Sequence, residues 1–227
     1  MNWGVPIRFY LRKSNLDLQM TATITLSMEI ELGWGFHDKL DSHPHISKDR
    51  HKETETLFKM LNICDELDIP FSFNIVGYLL NETYEQLSDP PHPENWLPVP
   101  PGSDRSTHPL FFGQDLIEGI RNSSVNHEIC SHSYTHPMLG KAADETVLWE
   151  LEKVKEKHQE HGLDQPTSLV PPRHSEPDLE LLRTNGFRTI RVTNKPQGPP
   201  NVLQYINSFT RRLPVQNLIK RDGITLS

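Results

Sequence analysis

The spacing of apolar residues along the chain changes several times, and each type of spacing predicts a strand or a helix. Residues 21–28 alternate small polar with apolar side chains and are rich in β-branched residues, which predicts a first strand that ends at acidic residues. Apolar side chains then recur every three or four positions, which predicts an amphipathic helix from a Ser47 cap to about residue 68. Residues 70–77 combine aromatic and β-branched side chains before a glycine and predict a second strand.

The order of strand and helix repeats along the middle of the chain. The further predicted elements are helix 114–122, strand 125–130, helix 144–161, strand 167–170, helix 177–184 and strand 187–192. Strands that alternate with helices pair in parallel through right-handed crossovers, so the fold class is α/β. Periodicity alone fits an open doubly wound sheet or a closed barrel, and in both folds the reactive groups lie at the carboxyl ends of the strands.

The composition of the chain limits the classes of protein to which it can belong. The chain has 227 residues, of which 35% are hydrophobic, and this is enough to bury the core of one domain spanning 1–227. A formal net charge of −7 without a basic stripe argues against nucleic acid as a partner. Cys64 and Cys130 are too few for a disulfide framework, and charged residues interrupt the first twenty positions, so neither a signal peptide nor a membrane span is predicted. We therefore expect a cytoplasmic protein.

Unusual polar residues follow three of the predicted strands. Glu29 and Glu31 follow the first strand, His132 and His136 follow the third, and residues 173–174 follow the fourth. Because the carboxyl ends of parallel strands share one edge of a sheet, these side chains are expected to converge. Two imidazoles four residues apart and one carboxylate suit Zn²⁺ or another divalent first-row cation. The alternative is that this spacing arises by chance in a chain with twelve histidines.

Residues 132–136, with the sequence HSYTH, resemble the H-S/T-x-x-H motif of the NodB-homology polysaccharide deacetylases, whose two histidines bind the metal. The resemblance implies a distorted, incomplete (β/α) barrel of the NodB/polysaccharide deacetylase type. It also implies that His132, His136 and Glu31 bind a divalent metal, expected to be zinc with cobalt, nickel or manganese as alternatives, and that Glu29 is the general base. Glutamates stand where the family usually has aspartates, so the roles of Glu29 and Glu31 can also be the reverse.

Residues 168–174, with the sequence SLVPPRH, resemble the family's third motif, in which an arginine orients the catalytic carboxylate. By this resemblance Arg173 lies near Glu29 and favours its ionised form, whereas an ordinary surface ion pair is the alternative. Trp34, His37 and His174 are the candidates for substrate contact. An aromatic wall can stack on a sugar ring, although a loop aromatic can equally pack on the rim of a barrel.

The resemblance covers residues 21–193 and departs from the family after that point. The family's late motif supplies a histidine as general acid, and this chain has no histidine after His174. Three explanations fit: the sequence stops before the last strands of the barrel, another residue such as His37 or His174 is the acid, or the protein is catalytically weak. We expect the first, an incomplete barrel. Its uncovered sheet edge would need covering by another copy, as in a homo-oligomer, or by another chain, or it would be an aggregation liability.

The resemblance predicts a hydrolase that removes the acetyl group from an N-acetylated sugar or glycan precursor. Three rivals stay open. The first is a hydrolase of another non-peptide C–N bond in the same superfamily. The second is a barrel that binds carbohydrate or metal without turnover. The third is a structural subunit in which the histidines only pack or titrate. Metal content and acetate release separate them.

Overall fold

A computed structural model of the protein describes residues 5–8, 21–42, 46–87, 90–191, 219–221 and 224–226. Its strands are β1 (Val5–Arg8), β2 (Thr21–Ile24), β3 (Ser27–Ile30), β4 (Ser72–Ile75), β5 (Glu128–Ser131), β6 (Ser168–Leu169), β7 (Thr189–Ile190), β8 (Ile219–Arg221) and β9 (Ile224–Leu226). Its α-helices are α1 (His51–Leu67), α2 (Gln114–Arg121), α3 (Asp144–Glu160) and α4 (Leu179–Thr184). Short 3₁₀ segments lie at Leu32–Ser42, Gly77–Leu80, Pro109–Phe111, Leu139–Lys141 and Pro172–His174.

The strands form two sheets. β1 and β2 make an antiparallel pair, and the larger sheet has the order β3-β4-β5-β6-β7-β9-β8. Strands β3 to β7 are all parallel to their neighbours, which confirms the predicted α/β class, and they curl into a half-barrel. β9 continues the sheet in parallel beside β7, and β8 is antiparallel to β9. None of the helices in the described part of the chain is long and apolar enough to cross a membrane.

Two boundaries differ from the sequence prediction. The single strand predicted over 21–28 is two strands, β2 and β3, that belong to different sheets, because its unbroken alternation contains no turn residue to mark the division. Glu29 consequently lies inside β3 rather than after it. The first helix begins at His51, after Arg50 in the left-handed region at φ 52°. The Ser47 backbone N–H and hydroxyl instead bond the Glu53 carboxylate, so Ser47 belongs to the preceding turn.

Strands β3 to β7 of the larger sheet have one apolar and one mainly polar face. Buried side chains such as Phe73, Ile75, Leu169 and Ile190 cover the apolar face and pack against the helices. Residues two positions apart on a strand share a face, so the register places the other set of side chains together. This mainly polar set is Ser27, Glu29, Ser72, Asn74, Glu128, Cys130, Ser168 and Thr189. Continued two residues further, the same alternation brings Glu31 and His132 to the carboxyl edge of the polar face.

Candidate metal centre

Glu31, His132 and His136 meet at the carboxyl edge of β3 and β5. The Nε2 atoms of His132 and His136 lie 3.2 Å and 2.9 Å from Oε2 of Glu31, and one ligand atom of each residue lies within 4.8 Å of the other two. Both histidines are buried, and the Glu31 side chain is 38% exposed. The three residues that the sequence assigned to the metal are therefore brought together, with one side open to solvent.

The Nε2 atoms of both histidines face Oε2 of Glu31, where one cation could bind all three atoms. Nδ1 of His132 lies 2.7 Å from the Val170 carbonyl, which can only accept, so Nδ1 donates and the neutral ring keeps its lone pair on Nε2. Nδ1 of His136 is buried without a hydrogen-bond partner among the described residues, and its Nε2 lies 2.9 Å from Oε2 of Glu31. Buried polar atoms are rarely left unsatisfied, and an N, N, O donor set suits a divalent first-row metal. The three residues therefore fit the divalent metal that the sequence predicted.

The protonation states at the site are those that a metal requires. Burial lowers the pKa of His136, which leaves its imidazole neutral at pH 7. Burial alone would raise the pKa of Glu31, but its contacts with His132 and His136 hold that pKa far below the usual carboxyl range. A neutral imidazole and an ionised carboxylate are the ligand forms that bind divalent cations.

The loop that carries the two histidines has an unusual backbone. Ser133 and His136 both have positive φ, at 63° and 65°, a conformation that non-glycine residues rarely adopt. Two serine side chains brace it, because the Ser131 hydroxyl accepts from the Ser133 N–H and the Ser133 hydroxyl accepts from the His136 N–H. The strain is concentrated in the loop that directs the two histidines towards Glu31.

The Glu150 side chain holds the same loop in place through hydrogen bonds. Its carboxylate, fully buried on α3, accepts from the backbone N–H groups of Tyr134 at 2.6 Å and Thr135 at 2.8 Å, and from the Thr135 hydroxyl. Nε2 of His92 lies 2.8 Å from Oε1, the same oxygen that accepts from the Thr135 hydroxyl. The sequence prediction did not include Glu150. The signal was present, because a charged residue occupies a position on the apolar stripe of the helix three residues after Val147.

We expect Glu150→Gln to weaken zinc binding by about 10- to 100-fold, because the amide loses the charge that two backbone N–H groups share and the ligand loop relaxes. The measurement is competition against a chromophoric chelator on the folded protein. Glu152→Gln is the matched control, since that carboxylate lies exposed on the same helix. Equal zinc affinity in the two variants would show that Glu150 serves only the stability of the core.

The arginine beside Glu29 is not the one that the sequence indicated. Arg191, which follows β7, forms the ion pair with Glu29, and its Nη1 also donates to the Ser27 hydroxyl at 2.8 Å. Arg173 instead makes a two-point contact with the Asp38 carboxylate at the rim. The predicted contact between Arg173 and Glu29 is therefore wrong. The curl of the sheet brings the end of β7, with Arg191, towards β3. A short local motif cannot show which strand end faces β3 in this way.

Trp34 does not form an exposed wall. Its side chain is fully buried, its Nε1 donates to the Phe111 carbonyl at 3.3 Å, and its ring packs on Tyr78 with centroids 4.7 Å apart. No face of the ring is open to a substrate, so the predicted substrate contact by Trp34 is corrected. The residue belongs to the hydrophobic core behind the site.

The other two predicted substrate contacts lie nearer the surface. His37 is half-buried, its Nδ1 bonds the Trp34 carbonyl at 2.9 Å, and its Nε2 has no hydrogen-bond partner among the described residues. Burial lowers the pKa of His37. His174 is exposed and, like Arg173 before it, has positive φ. Their role in substrate binding stays a prediction.

A second polar cluster lies at the opposite end of the sheet and is structural. Ser123 contacts both Asp65 and His127, as in a nucleophile with its base. However, Nδ1 of His127 accepts from the Phe71 N–H at 3.1 Å, so the neutral ring carries its proton on Nε2 and donates to the serine. A nucleophilic serine must instead donate to the histidine. The serine hydroxyl donates to Asp65, and these bonds fix the loop before β5.

Comparison with known proteins gives a family and a fold. The sequence model described as "Polysaccharide deacetylase" matches residues 41–189. Comparison with curated proteins returns no match. A protein from Mycobacterium smegmatis, solved as a proposed polysaccharide deacetylase, superposes with a TM-score of 0.50 at 18% identity, over 74% of this chain and 50% of that one. This likeness shows the fold and confirms the predicted incomplete barrel of the polysaccharide deacetylase type.

Two further solved structures show weaker similarity. A family 4 carbohydrate esterase from Streptomyces lividans, solved with acetate, has a TM-score of 0.43 at 13% identity, covering 74% of this chain and 61% of that one. A pseudoenzyme of carbohydrate esterase family 4 from Bacillus anthracis has a TM-score of 0.44 at 17% identity, covering 73% and 41%. The chain thus spans about half the length of the solved structures that it matches.

Proposed function

The chain belongs to the polysaccharide deacetylase family, and on that premise we propose that it is a metal-dependent hydrolase that removes the acetyl group from an N-acetylated sugar. The observation that supports this best is the convergence of Glu31, His132 and His136 within 4.8 Å, with both imidazoles buried and the carboxylate partly open. A site with three protein ligands and one open side is typical of catalytic rather than structural metal centres.

Each residue of the site has a separate role in the proposed reaction. A divalent cation held by the three ligands would supply Lewis acidity, which polarises the amide carbonyl and lowers the pKa of water. Glu29 takes the proton from the attacking water, and its ion pair with Arg191 keeps the carboxylate charged and oriented for that task. Arg191 acts through Glu29 and is a positioning residue in this scheme.

Collapse of the tetrahedral intermediate requires an acid that protonates the leaving amine. His37 and His174 are the candidates. His37 has Nδ1 fixed as a donor to the Trp34 carbonyl, so its Nε2 carries a proton only in the imidazolium form, which the lowered pKa of this half-buried ring disfavours. His174 is exposed and free to reorient towards a bound sugar.

The first test is acetate release by metal-loaded protein. Protein reconstituted separately with Zn²⁺, Co²⁺, Ni²⁺ and Mn²⁺ is incubated with N-acetylglucosamine and its β-1,4-linked tetramer, and acetate and free amine are both quantified. We expect equal amounts of the two products with at least one metal. Formate from an N-formylated sugar, without acetate from any acetylated one, would identify a hydrolase of another C–N bond. Tight metal binding with no product from either class would favour the non-catalytic binding barrel.

A further inference from the structure

A proline-rich segment, residues 90–101, packs against the amino-terminal half of α3. The Thr146 hydroxyl, in the first turn of that helix, donates to the Pro91 carbonyl at 2.8 Å. The next residue is His92, whose side chain is only 2% exposed. Its imidazole stacks on the indole of Trp96, with centroids 5.3 Å apart and planes 14° apart. These contacts fix the orientation of the His92 ring.

The His92 ring completes the hydrogen bonds of a buried carboxylate. Its Nε2 lies 2.8 Å from Oε1 of Glu150, and a carboxylate oxygen accepts, so Nε2 is the donor. The indole Nε1 of Trp96, which is partly exposed, donates to the Thr135 hydroxyl at 2.8 Å, and that hydroxyl donates to the same Oε1. The backbone N–H groups of Tyr134 and Thr135 donate to Oε2. Among the described residues, each oxygen of Glu150 thus accepts two hydrogen bonds.

Loss of the His92 donor would reach the metal ligands through this carboxylate. Glu150 is fully buried, so water cannot easily replace a missing donor, and a buried carboxylate that lacks one is unfavourable. The side chain would turn to recover a partner and would weaken its hold on the two backbone N–H groups. Those groups lie between Ser133 and His136, which both have positive φ, so this backbone relaxes if its bonds weaken.

We propose that His92 is a positioning residue of the metal centre. It acts through Glu150, whose bonds to the backbone between His132 and His136 set the separation of the two imidazoles. Because His92 is not one of the three converging ligands, it affects the metal without binding it. The inference rests on the proposed metal-dependent function and extends it to a residue that supports the ligands from a different loop.

The test measures metal binding by variants of the full chain. His92→Phe keeps a flat ring but removes the donor, and we expect it to weaken Zn²⁺ binding by about tenfold in competition with a chromophoric chelator. It should also change the visible absorption of the Co²⁺-loaded protein, because that spectrum depends on ligand geometry. His92→Gln retains an N–H donor close to the position of Nε2 and should recover most of the zinc affinity.

The matched control is a second buried histidine of the same region. His158 is fully buried on α3, and its Nδ1 bonds the Asp164 carbonyl at 2.8 Å, beyond the carboxyl end of the helix. His158→Phe should lower the melting temperature but leave zinc affinity within about twofold, since it does not touch the loop of the ligands. The Co²⁺ spectrum should also stay the same. A purely structural role for His92 would give the same result as this control.

The outcomes separate the positioning role from the proposed reaction. Unchanged zinc affinity and Co²⁺ spectrum in His92→Phe would overturn the positioning role, and acetate release by the unaltered protein would still support the deacetylase. Weakened binding that His92→Gln restores, in protein that releases no acetate, would support the positioning role and reject the deacetylase. If His92→Phe does not fold, His92→Asn replaces it, because its amide is too short to reach Glu150. Equal zinc affinity in the asparagine and glutamine variants would overturn the proposal.

Discussion

Replacing His132 and His136 together by alanine should remove the metal and, with it, the hydrolytic activity. The unaltered protein is expected to retain near-stoichiometric zinc after dialysis, whereas the double variant retains none and loses activity by at least about 10³-fold. The physical reason is that Glu31 alone cannot hold a divalent cation against water once two of three ligands are gone. Elemental analysis of the two proteins after identical dialysis, followed by acetate assay, makes the comparison.

The control for this result is a double variant of two other histidines. His51→Ala with His161→Ala removes two imidazoles at opposite ends of the fold, at the first turn of α1 and beyond α3. Its zinc content should equal that of the unaltered protein. Equal zinc in all three proteins would place the metal elsewhere, and zinc in none, even after reconstitution at neutral pH, would remove the metal-dependent mechanism.

Replacing Glu29 by glutamine should lower kcat by about 10²- to 10⁴-fold while the zinc content stays unchanged. The amide has nearly the same size but cannot take a proton, and Glu29 is not among the three residues that converge at the metal centre. Single-turnover acetate release and elemental analysis measure the two quantities separately. Loss of zinc in Glu29→Gln, with zinc kept in Glu31→Gln, would show that the roles of the two glutamates are the reverse of those proposed.

The two arginines provide a comparison within the same experiment. Arg191→Met removes the partner of Glu29 and should shift the acidic limb of the pH–rate profile upwards, because an unpaired carboxylate is easier to protonate. Arg173→Met removes a rim contact with Asp38, whose pKa the guanidinium lowers, and should leave that limb in place. The opposite pattern would return the positioning role to Arg173, as the sequence motif indicated.

Local sequence features were sufficient for most of the secondary-structure elements and for the three residues of the candidate metal centre. The helices at 114–121 and 144–160 begin at the predicted residues and end within one residue of them, because their apolar spacing and end signals are contained in each segment. The parallel order of β3 to β7 followed from the alternation of strands and helices. Strand breaks were harder to predict, and the split between β2 and β3 depends on which sheet each half joins.

Residues that support the site were the ones that sequence reasoning missed. In the sequence, Glu150 is one of several charged residues on a helix. Only the fold shows that its carboxylate faces the backbone of the loop that carries the two histidines. Trp96 lies in a proline-rich segment without period, 39 positions from the threonine that it contacts. Pairings of this kind depend on the path of distant loops, and no local pattern encodes them.

The sequence by itself determined the α/β alternation, the pair of histidines and the carboxylate after the first strand, because these follow from hydrophobic period and from short motifs read along the chain. Only the tertiary structure decided which arginine meets Glu29, which tryptophan is buried and which borders the site. The contact between Arg191 and Ser27 joins residues 164 positions apart. The curl of the sheet, which brings the end of β7 towards β3, sets that contact, and curl is a property of the packed strands together rather than of any one segment.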